Sequence, residues 1–366
     1  MDSSEEASIV LRPLWSEEAL YSDAVLDGAL QDCGPYELLP MHDRSARLGQ
    51  PAQQVIFRHY DHMIGRAADR DERTPSLDLR GWTGGDIGDQ MASVLSLALG
   101  RRLRSGGTVR FCLSSGDPLG LPCSRDRRPP QMQEPGYRGT LLPGISDPAS
   151  LSAARDLLLA YSKLNAVEAT ALTRAAAQFA DALWWADADP RIAWMKLVGA
   201  LEAGANHYDA AEEHADPVTL LKRHRGRLYG RLKKAGCEAA TAIVAEDLAR
   251  TFNVEQKLSR FVSAFTPDPP SLRPDVARVD FENLESDLAL IYEYRSRELH
   301  DGVPFPLPLC QAPEEIDGTP AERFAAEWIE GSGGLWPSGD LPMYLHTFAY
   351  ISGEVLRKWW ARLAPD

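Results

Sequence analysis

Cysteine is scarce in this sequence, and the residues that usually bind metals form no familiar pattern. Five cysteines are scattered along 366 residues, and none of them forms the CxxC pair that begins zinc and redox motifs. The HExxH pattern of zinc hydrolases is also missing. We therefore predict reduced thiols, no metal ligands and no cofactor.

Long apolar runs are missing as well. No window approaches eighteen uninterrupted apolar residues, the length typical of a membrane-spanning helix. The opening stretch "MDSSEEASIV" lacks the basic start and the apolar run of a signal peptide. These absences predict a cytoplasmic protein with no membrane partner.

Positive charge is in the minority, because 39 Lys and Arg residues face 53 Asp and Glu residues, for a net charge of −14. Such a balance argues against a protein that coats nucleic acid through clustered cations. The local exception is "LLKRHRGRLYGRLKKAG", which contains four candidate RNA-binding residues, Arg223, Arg225, Arg227 and Arg231. Two alternatives stay open: a solvated helix face that pairs with acids elsewhere, and a helical DNA-binding regulator.

The chain divides into two parts that differ in predicted secondary structure. Residues 1–145 hold one helix, "DQMASVLSLALGRRL", and short β-leaning runs, namely "SIVLRPLW", "QQVIFRHY" and "TVRFCLSS". A stretch rich in Pro and Gly, from Cys123 to Ser150, marks the boundary. We predict a small α+β module followed, over residues 146–366, by a helical domain, so that the chain is mainly α.

Several helices are predicted in the second part. Residues 151–185 predict two helices broken near 162–165, and further helices are predicted over 217–235, 241–265, 279–300 and 341–363. In "DPRIAWMKLVGALEAGAN", Asp189 is placed to cap a helix and Pro190 to occupy its first turn. This helix is apolar almost all round, so we predict that it is central and buried, and that Glu202 near its end needs a partner.

The helix over 279–300 carries the most informative pair of side chains. Arg295 falls within an apolar stripe made by Phe281, Leu284, Leu288, Ile291, Tyr292 and Leu299. An arginine on such a stripe has to be paired or aimed at an anion. His300 lies about 140° around the helix from Arg295. Gly302 can take the left-handed conformation that closes the helix.

Arginine and histidine together suit RNA cleavage without a metal. The 2′-OH of the substrate is the nucleophile, a histidine can move protons, and an arginine can stabilise charge on the phosphorus in the transition state. Spacing alone does not establish this reaction. The alternative is a structural Arg295 that pairs with an acid such as Glu202, next to an incidental His300.

The stretch "YEYRSRELHDG" resembles the Arg-Ser-x-x-x-His signature of the HEPN superfamily, in particular its Apea-like bacterial branch. The preceding stretch "WMKLVGALEAGAN" is similar to that branch, and "VPFPLPLC" and "WPSGDLPMYLHTFAYISGEVLRKWW" are similar to the tails of actinobacterial members. The resemblance runs from Ser150 to Leu363 and leaves the N-terminal module outside.

This resemblance implies a HEPN-like helical bundle that acts as a metal-independent endoribonuclease, with a role as a toxin or defence effector. It implies RNA as the substrate, a homodimer in which two motifs line one cleft, and an antitoxin or defence partner. Arg295 would contact the scissile phosphate and His300 would act as general acid and base. Ser296 would support the site, and Glu202 would orient Arg295 or His300.

A second hypothesis stays open. Many HEPN domains serve as nucleotide-binding or protein-interaction modules without nuclease activity, so a non-catalytic module is the alternative. The sequence also departs from the pattern at Asp301, where a Gly is common after the His. A carboxylate at this position could hold a proton on His300 or repel a phosphate.

Overall fold

The computed structural model divides the chain into two compact units. The first comprises Met1–Met132, Gly144–Thr170 and Leu363–Asp366, and the second comprises Gln133–Pro143 and Ala171–Arg362. The residues described are 15–41, 52–60, 85–113, 119–123, 130, 139–209, 216–236, 238–331 and 334–363.

A β-sheet forms the centre of the first unit. The described strands are β1 (Trp15–Ser22), β2 (Leu26–Asp27), β3 (Leu30–Cys33), β4 (Tyr36–Pro40), β5 (Ala52–Tyr60), β6 (Arg104–Cys112), β7 (Leu121–Pro122) and β8 (Ala149–Ser150). An antiparallel sheet has the order β3-β4-β5-β1-β6-β7, and β2 pairs with β8 in parallel. The helix α1 (Ile87–Leu99) packs on β1 and β6, while α2 (Arg155–Lys163) packs on β3.

The strand β1 differs from its prediction. The predicted strand was "SIVLRPLW", of which residues 8–14 lie outside the described residues, whereas β1 begins at Trp15 and continues through two acids. This strand is hard to predict because it contains Glu17, and an acid is unusual in a central strand. The carboxylate of Glu17 is nevertheless buried. Arg58 of β5 donates to Glu17 at 2.6 Å across the ladder, and this ion pair lets the strand carry the acid.

Helices make up most of the second unit. They are α3 (Ala166–Trp185), whose first turns belong to the first unit, α4 (Pro190–Asp209), α5 (Pro217–His224), α6 (Gly226–Lys234), α7 (Glu238–Ala264), α8 (Glu285–Asp301) and α9 (Leu345–Leu363). Two short strand pairs lie between α8 and α9, β9 (Glu315–Ile316) with β10 (Thr319–Pro320) and β11 (Trp328–Gly331) with β12 (Gly334–Pro337). The chain is therefore mainly α with an α+β N-terminal module, as predicted.

Packing in the second unit centres on Trp194 of α4, which is fully buried. Its ring stacks on Phe305, at 5.8 Å between centroids, and on Phe348 of α9 at 5.1 Å. Its indole N–H donates to the carbonyl of Leu309 at 2.9 Å. These contacts fix α4 against α9 and against the chain that follows α8, and α7 and α8 also pack on α4.

Helix boundaries are confirmed at some positions and corrected at others. The break between α2 and α3 and the start of α4 at Pro190 agree with the predictions. The predicted helix over 217–235 is interrupted at Arg225, whose φ is −135°, and so forms α5 and α6.

The start of α8 is also corrected, from near Val279 to Glu285, because the N–H of Val279 donates to the carboxylate of Glu322 at 2.7 Å instead of entering a helix. The end of α8 agrees with its prediction, since Gly302 closes the helix with a φ of 66°. In the described part of the chain, every helix is too short or too polar to span a bilayer.

Candidate functional site

Arg295 of α8 and Glu202 of α4 form an ion pair. The Nη2 atom of Arg295 donates to Oε2 of Glu202 at 2.9 Å, and the two side chains are 21% and 16% exposed. The guanidinium carbon also lies 5.7 Å from the centre of the Tyr292 ring, within the range of a cation–π contact. This geometry confirms that the arginine on the apolar stripe is paired, and it provides the partner that Glu202 was predicted to need.

Burial controls the charge of Glu202. Loss of solvent raises the pKa of this carboxyl above its ordinary value, and the positive charge of Arg295 opposes that shift only in part. Glu202 therefore binds a proton more readily than an exposed glutamate does. An anion that reached Arg295 from solvent would compete with Glu202 and would strengthen this tendency.

Arg295 lines an open groove of about 690 Å³. One wall is α3, which contributes Arg174 and Gln178. The other wall is the last two turns of α8, which contribute Arg295, Glu298 and Leu299. The floor is α4, together with Asp189 at its start, and the α4 side chains are Arg191, Ile192, Met195, Lys196, Gly199 and Ala203.

The floor of this groove corrects the prediction that α4 is wholly buried. One side of the helix packs in the core, whereas Ile192, Met195, Gly199 and Ala203 are only partly covered. These four residues follow the helical repeat and lie within about 80° of one another around α4. This partly exposed face could not be predicted from the sequence, because apolar residues on both sides of a helix usually indicate that the helix is buried all round.

Charged side chains of both signs surround the apolar floor. Lys196 donates to Asp181 at 3.0 Å. Arg191 lies 3.3 Å from Asp189 and 4.0 Å from Glu298. Counted over the lining alone, four cations and two acids face the groove. Glu202 and Asp181 lie just outside the lining and pair with Arg295 and Lys196, so the groove carries ion pairs of both signs instead of a net positive charge.

The structure does not place His300 in this groove. The imidazole is exposed at the end of α8 and makes no side-chain hydrogen bond or ion pair within the described residues. Asp301 is exposed beside it. Leu299 was predicted to continue the buried stripe, but it is 50% exposed at the mouth of the groove, because α8 passes beyond the core in its last turn.

Ser296 lies on a different face of α8 from Arg295. It lines a separate hollow along the helix, together with Leu290 and Glu293. Of the four predicted catalytic residues, the structure thus brings together Arg295 and Glu202. His300 and Ser296 are nearby along the helix, but they face other directions.

The basic stretch forms α5, α6 and the turn between them. Arg225, Arg227 and Arg231 are exposed, while the side chain of Arg223 lies outside the described residues. Arg227 and Arg231 are one helical turn apart and form no ion pair within the described part of the chain, so the expected pairing with acids is not seen for these two. They form a solvated basic face on α6.

Five polar residues of the groove were not predicted from sequence, namely Arg174, Gln178, Arg191, Lys196 and Glu298. Each is an ordinary polar residue of a helix, and nothing in its spacing marks it. Glu298 is an example, because its structural role depends on a residue beyond the helix. Its Oε2 accepts a hydrogen bond from the N–H of Phe305 at 2.9 Å, which holds the chain that follows α8 against the end of that helix. Only the packing of three helices brings these side chains to one place.

The chain matches none of the protein-family models, curated proteins or solved structures with which it was compared. Within the described residues, no group of three or more His, Cys, Asp or Glu side chains is arranged to hold a metal ion.

Proposed function

We propose that this protein is a metal-independent endoribonuclease of the HEPN type, a toxin or defence effector that acts as a homodimer. The observation that supports the proposal is that Arg295 and His300, both on α8, lie in two different environments. Arg295 is held at an open groove by Glu202, and five residues later the imidazole of His300 is exposed and makes no side-chain hydrogen bond or ion pair with any described residue. One helix thus carries a fixed cation and an accessible proton carrier.

In this proposal the substrate supplies its own nucleophile. The 2′-OH attacks the neighbouring phosphorus, the bond to the 5′ oxygen breaks, and His300 takes the proton from the first oxygen and returns one to the second. Arg295 stabilises the negative charge that develops on the phosphorus oxygens. A guanidinium has five N–H donors and the bond to Glu202 uses one of them, so donors remain for a phosphate.

A homodimer would account for the directions of the two groups. Arg295 and His300 are separated by about 140° around α8 and by about 7.5 Å along its axis. A single helix therefore presents them to different sides. Two copies that brought their α8 ends together would supply an arginine and a histidine to one phosphate, and Ser296 would lie between the two helices.

The exposed basic face of α6 would attract the RNA backbone. Arg227 and Arg231 can contact phosphates without first breaking an ion pair within the described residues. Their contribution would be independent of base sequence and would weaken as salt increases.

RNA cleavage in EDTA tests the proposal. The purified protein should cut single-stranded RNA, and Arg295→Ala and His300→Ala should each reduce the rate by at least about a hundredfold. Arg297→Ala is the matched control, since Arg297 is an exposed arginine on the same helix whose nearest acid is Glu293 at 3.8 Å. Equal cleavage by all four proteins would remove the pair from the mechanism.

A non-catalytic interaction module is the second candidate, and the ion pair itself favours it. If Arg295 only holds Glu202, then α8 is fixed to α4 and the groove serves binding alone. In that case the wild-type protein would leave RNA intact, and Arg295→Ala would lower the stability of the protein without changing any activity.

A further inference from the structure

Helix α6 has an apolar side and a cationic side. Its apolar side chains, Leu228, Tyr229 and Leu232, lie within about 100° of one another and are half-buried. The helix packs on α5 and α7. The cationic side spans about 160° of the helix and is centred about 170° from the apolar side. It consists of four exposed residues, namely Arg227, Arg231, Lys233 and Lys234.

These four cations are available to a ligand. None of them forms an ion pair or a side-chain hydrogen bond within the described part of the chain. Arg227, Arg231 and Lys234 lie within about 60° of one another and span about 10 Å along the axis, so they form one row. A ligand can contact this cation row without first breaking an ion pair to a described acid.

Two glycines lie within the cationic side. Gly226 and Gly230 are one helical turn apart, and a Cβ added at either would have no atom within 4 Å. Around the helix they lie between Lys233 on one flank and the cation row on the other. Glycine inside a helix costs about 1 kcal/mol relative to alanine, but it leaves the helix backbone uncovered. A ridge of phosphates can therefore approach α6 closely and meet positive charge on both flanks.

We propose that the cationic side of α6 binds the phosphate backbone of double-stranded RNA. Proteins that bind single-stranded nucleic acid stack its bases on aromatic side chains. Among the described residues of α5 and α6, the aromatic residue is Tyr229, and it lies on the half-buried apolar side. Double-stranded RNA is recognised mainly through its shape, its phosphates and its 2′-OH groups, and cations on a helix can contact these phosphates.

Charge density also favours a duplex. Each phosphate contact releases about 0.9 counterions from duplex DNA and about 0.7 from a single strand, because the duplex carries more charge per unit length. The same four cations therefore gain more binding free energy from a duplex than from a single strand.

An anionic membrane matches this surface less well. A helix that lies on a bilayer inserts its apolar side among the lipids. In α6 the apolar side chains are half-buried in the protein and lie on the side opposite the cations, so they are not presented together with the positive charge.

Duplex binding by α6 defines a class of RNA substrate. An RNA that contains both a stem and an unpaired segment would place the stem on α6 and leave the unpaired segment to reach Arg295 and His300. That such an RNA is also cut rests on the proposed function, whereas duplex binding does not.

Fluorescence anisotropy with labelled, 2′-O-methylated RNA tests the inference, because methylation blocks the nucleophile and the RNA cannot be cut. The wild type should bind a blunt duplex more tightly than either of its single strands. Arg227→Gln combined with Arg231→Gln should weaken duplex binding at least tenfold and lower the slope of log K against log salt by about 2. The control replaces Arg278 and Arg297 by glutamine, which removes the same charge from two exposed arginines that lie 3.5 Å and 3.8 Å from acids.

A second variant tests the close approach separately from the charge. Gly230→Leu keeps every cation but fills the space between the two flanks, so it should also weaken duplex binding. Gly339→Leu is its control, because a Cβ added at Gly339 likewise has no atom within 4 Å.

Every outcome decides for or against the proposal. Duplex binding that is weakened in the two α6 variants and unchanged in both controls supports it. Equal duplex binding by the wild type and all variants overturns it, as does equal or tighter binding of the single strands or tighter binding of a DNA duplex of the same sequence. Displacement by polyglutamate as effective as that by unlabelled duplex would assign the surface to an acidic protein. Tighter binding to phosphatidylserine vesicles that requires Arg227 and Arg231 would assign it to a membrane.

None of these measurements depends on RNA cleavage. A protein that binds the duplex but leaves unmodified RNA intact would refute the proposed function and keep this inference. A protein that cuts RNA but fails to bind the duplex through α6 would refute this inference alone.

Discussion

The two glycines of α4 lie on different sides of that helix. Replacing Gly204 by alanine should lower the free energy of unfolding, whereas replacing Gly199 by alanine should raise it. Gly204 faces the core, where an added Cβ would lie 2.7 Å from Cζ of Phe261 and 3.3 Å from Cδ2 of Leu356. Gly199 faces the groove, where an added Cβ makes only ordinary contact with Gln178. The two positions share one helix, so intrinsic helix propensity acts equally on both.

The magnitudes follow from two competing effects. Alanine in place of glycine inside a helix stabilises it by about 1 kcal/mol. Overpacking a core costs about 1–3 kcal/mol. Phe261 is fully buried and its ring touches those of Tyr208, Phe265 and Trp359, so it has little freedom to move away. We therefore expect the upper part of that range for Gly204→Ala, a net loss of about 1–2 kcal/mol, and a gain of about 1 kcal/mol for Gly199→Ala.

Urea unfolding followed by circular dichroism measures both changes as shifts of the midpoint. The slope of the transition should stay the same, because neither variant alters the surface that unfolding exposes. If Gly204→Ala stabilised the protein as much as Gly199→Ala does, the packing of α7 and α9 against α4 would be wrong as described, and so would the distinction between core face and groove floor.

Three further predictions concern single contacts. Gly302→Ala should destabilise the protein by about 1–2 kcal/mol in urea unfolding, because the φ of 66° at the end of α8 disfavours a Cβ, and Gly302→Asn should cost less. Glu202 has a raised pKa, so the folded state holds its proton more tightly than the unfolded chain, and ionisation costs stability as pH rises from about 4 through the raised pKa. The free energy of unfolding of Glu202→Gln should therefore rise relative to that of the wild type across this pH range. Unfolding at a series of pH values measures the difference between the two proteins, and a difference that stays constant would contradict this prediction. Asp23→Asn should cost about 3–5 kcal/mol, because it removes the negative charge that the buried guanidinium of Arg102 contacts at 3.0 Å, and Arg102→Met should recover part of the loss when combined with it in a double-mutant cycle.

Local signals in the sequence determined several features of this protein. The first turn of α4 at Pro190, the end of α8 at Gly302 and the place of Arg295 on an apolar stripe could all be predicted. Each of these depends on residues a few positions apart along the chain, through capping, backbone conformation or helical period. The same is true of the change from an α+β module to a helical region.

Tertiary structure alone decided the rest. Glu202 and Arg295 are 93 positions apart, and only the packing of α4 on α8 brings them within 2.9 Å. The groove exists because three helices leave one apolar side of α4 partly open, although its sequence predicts burial on every side. The strand β1 escaped prediction because Glu17 is neutralised by an arginine from another strand. In each case a distant residue supplies the partner or the cover, and periodicity contains no information about distant partners.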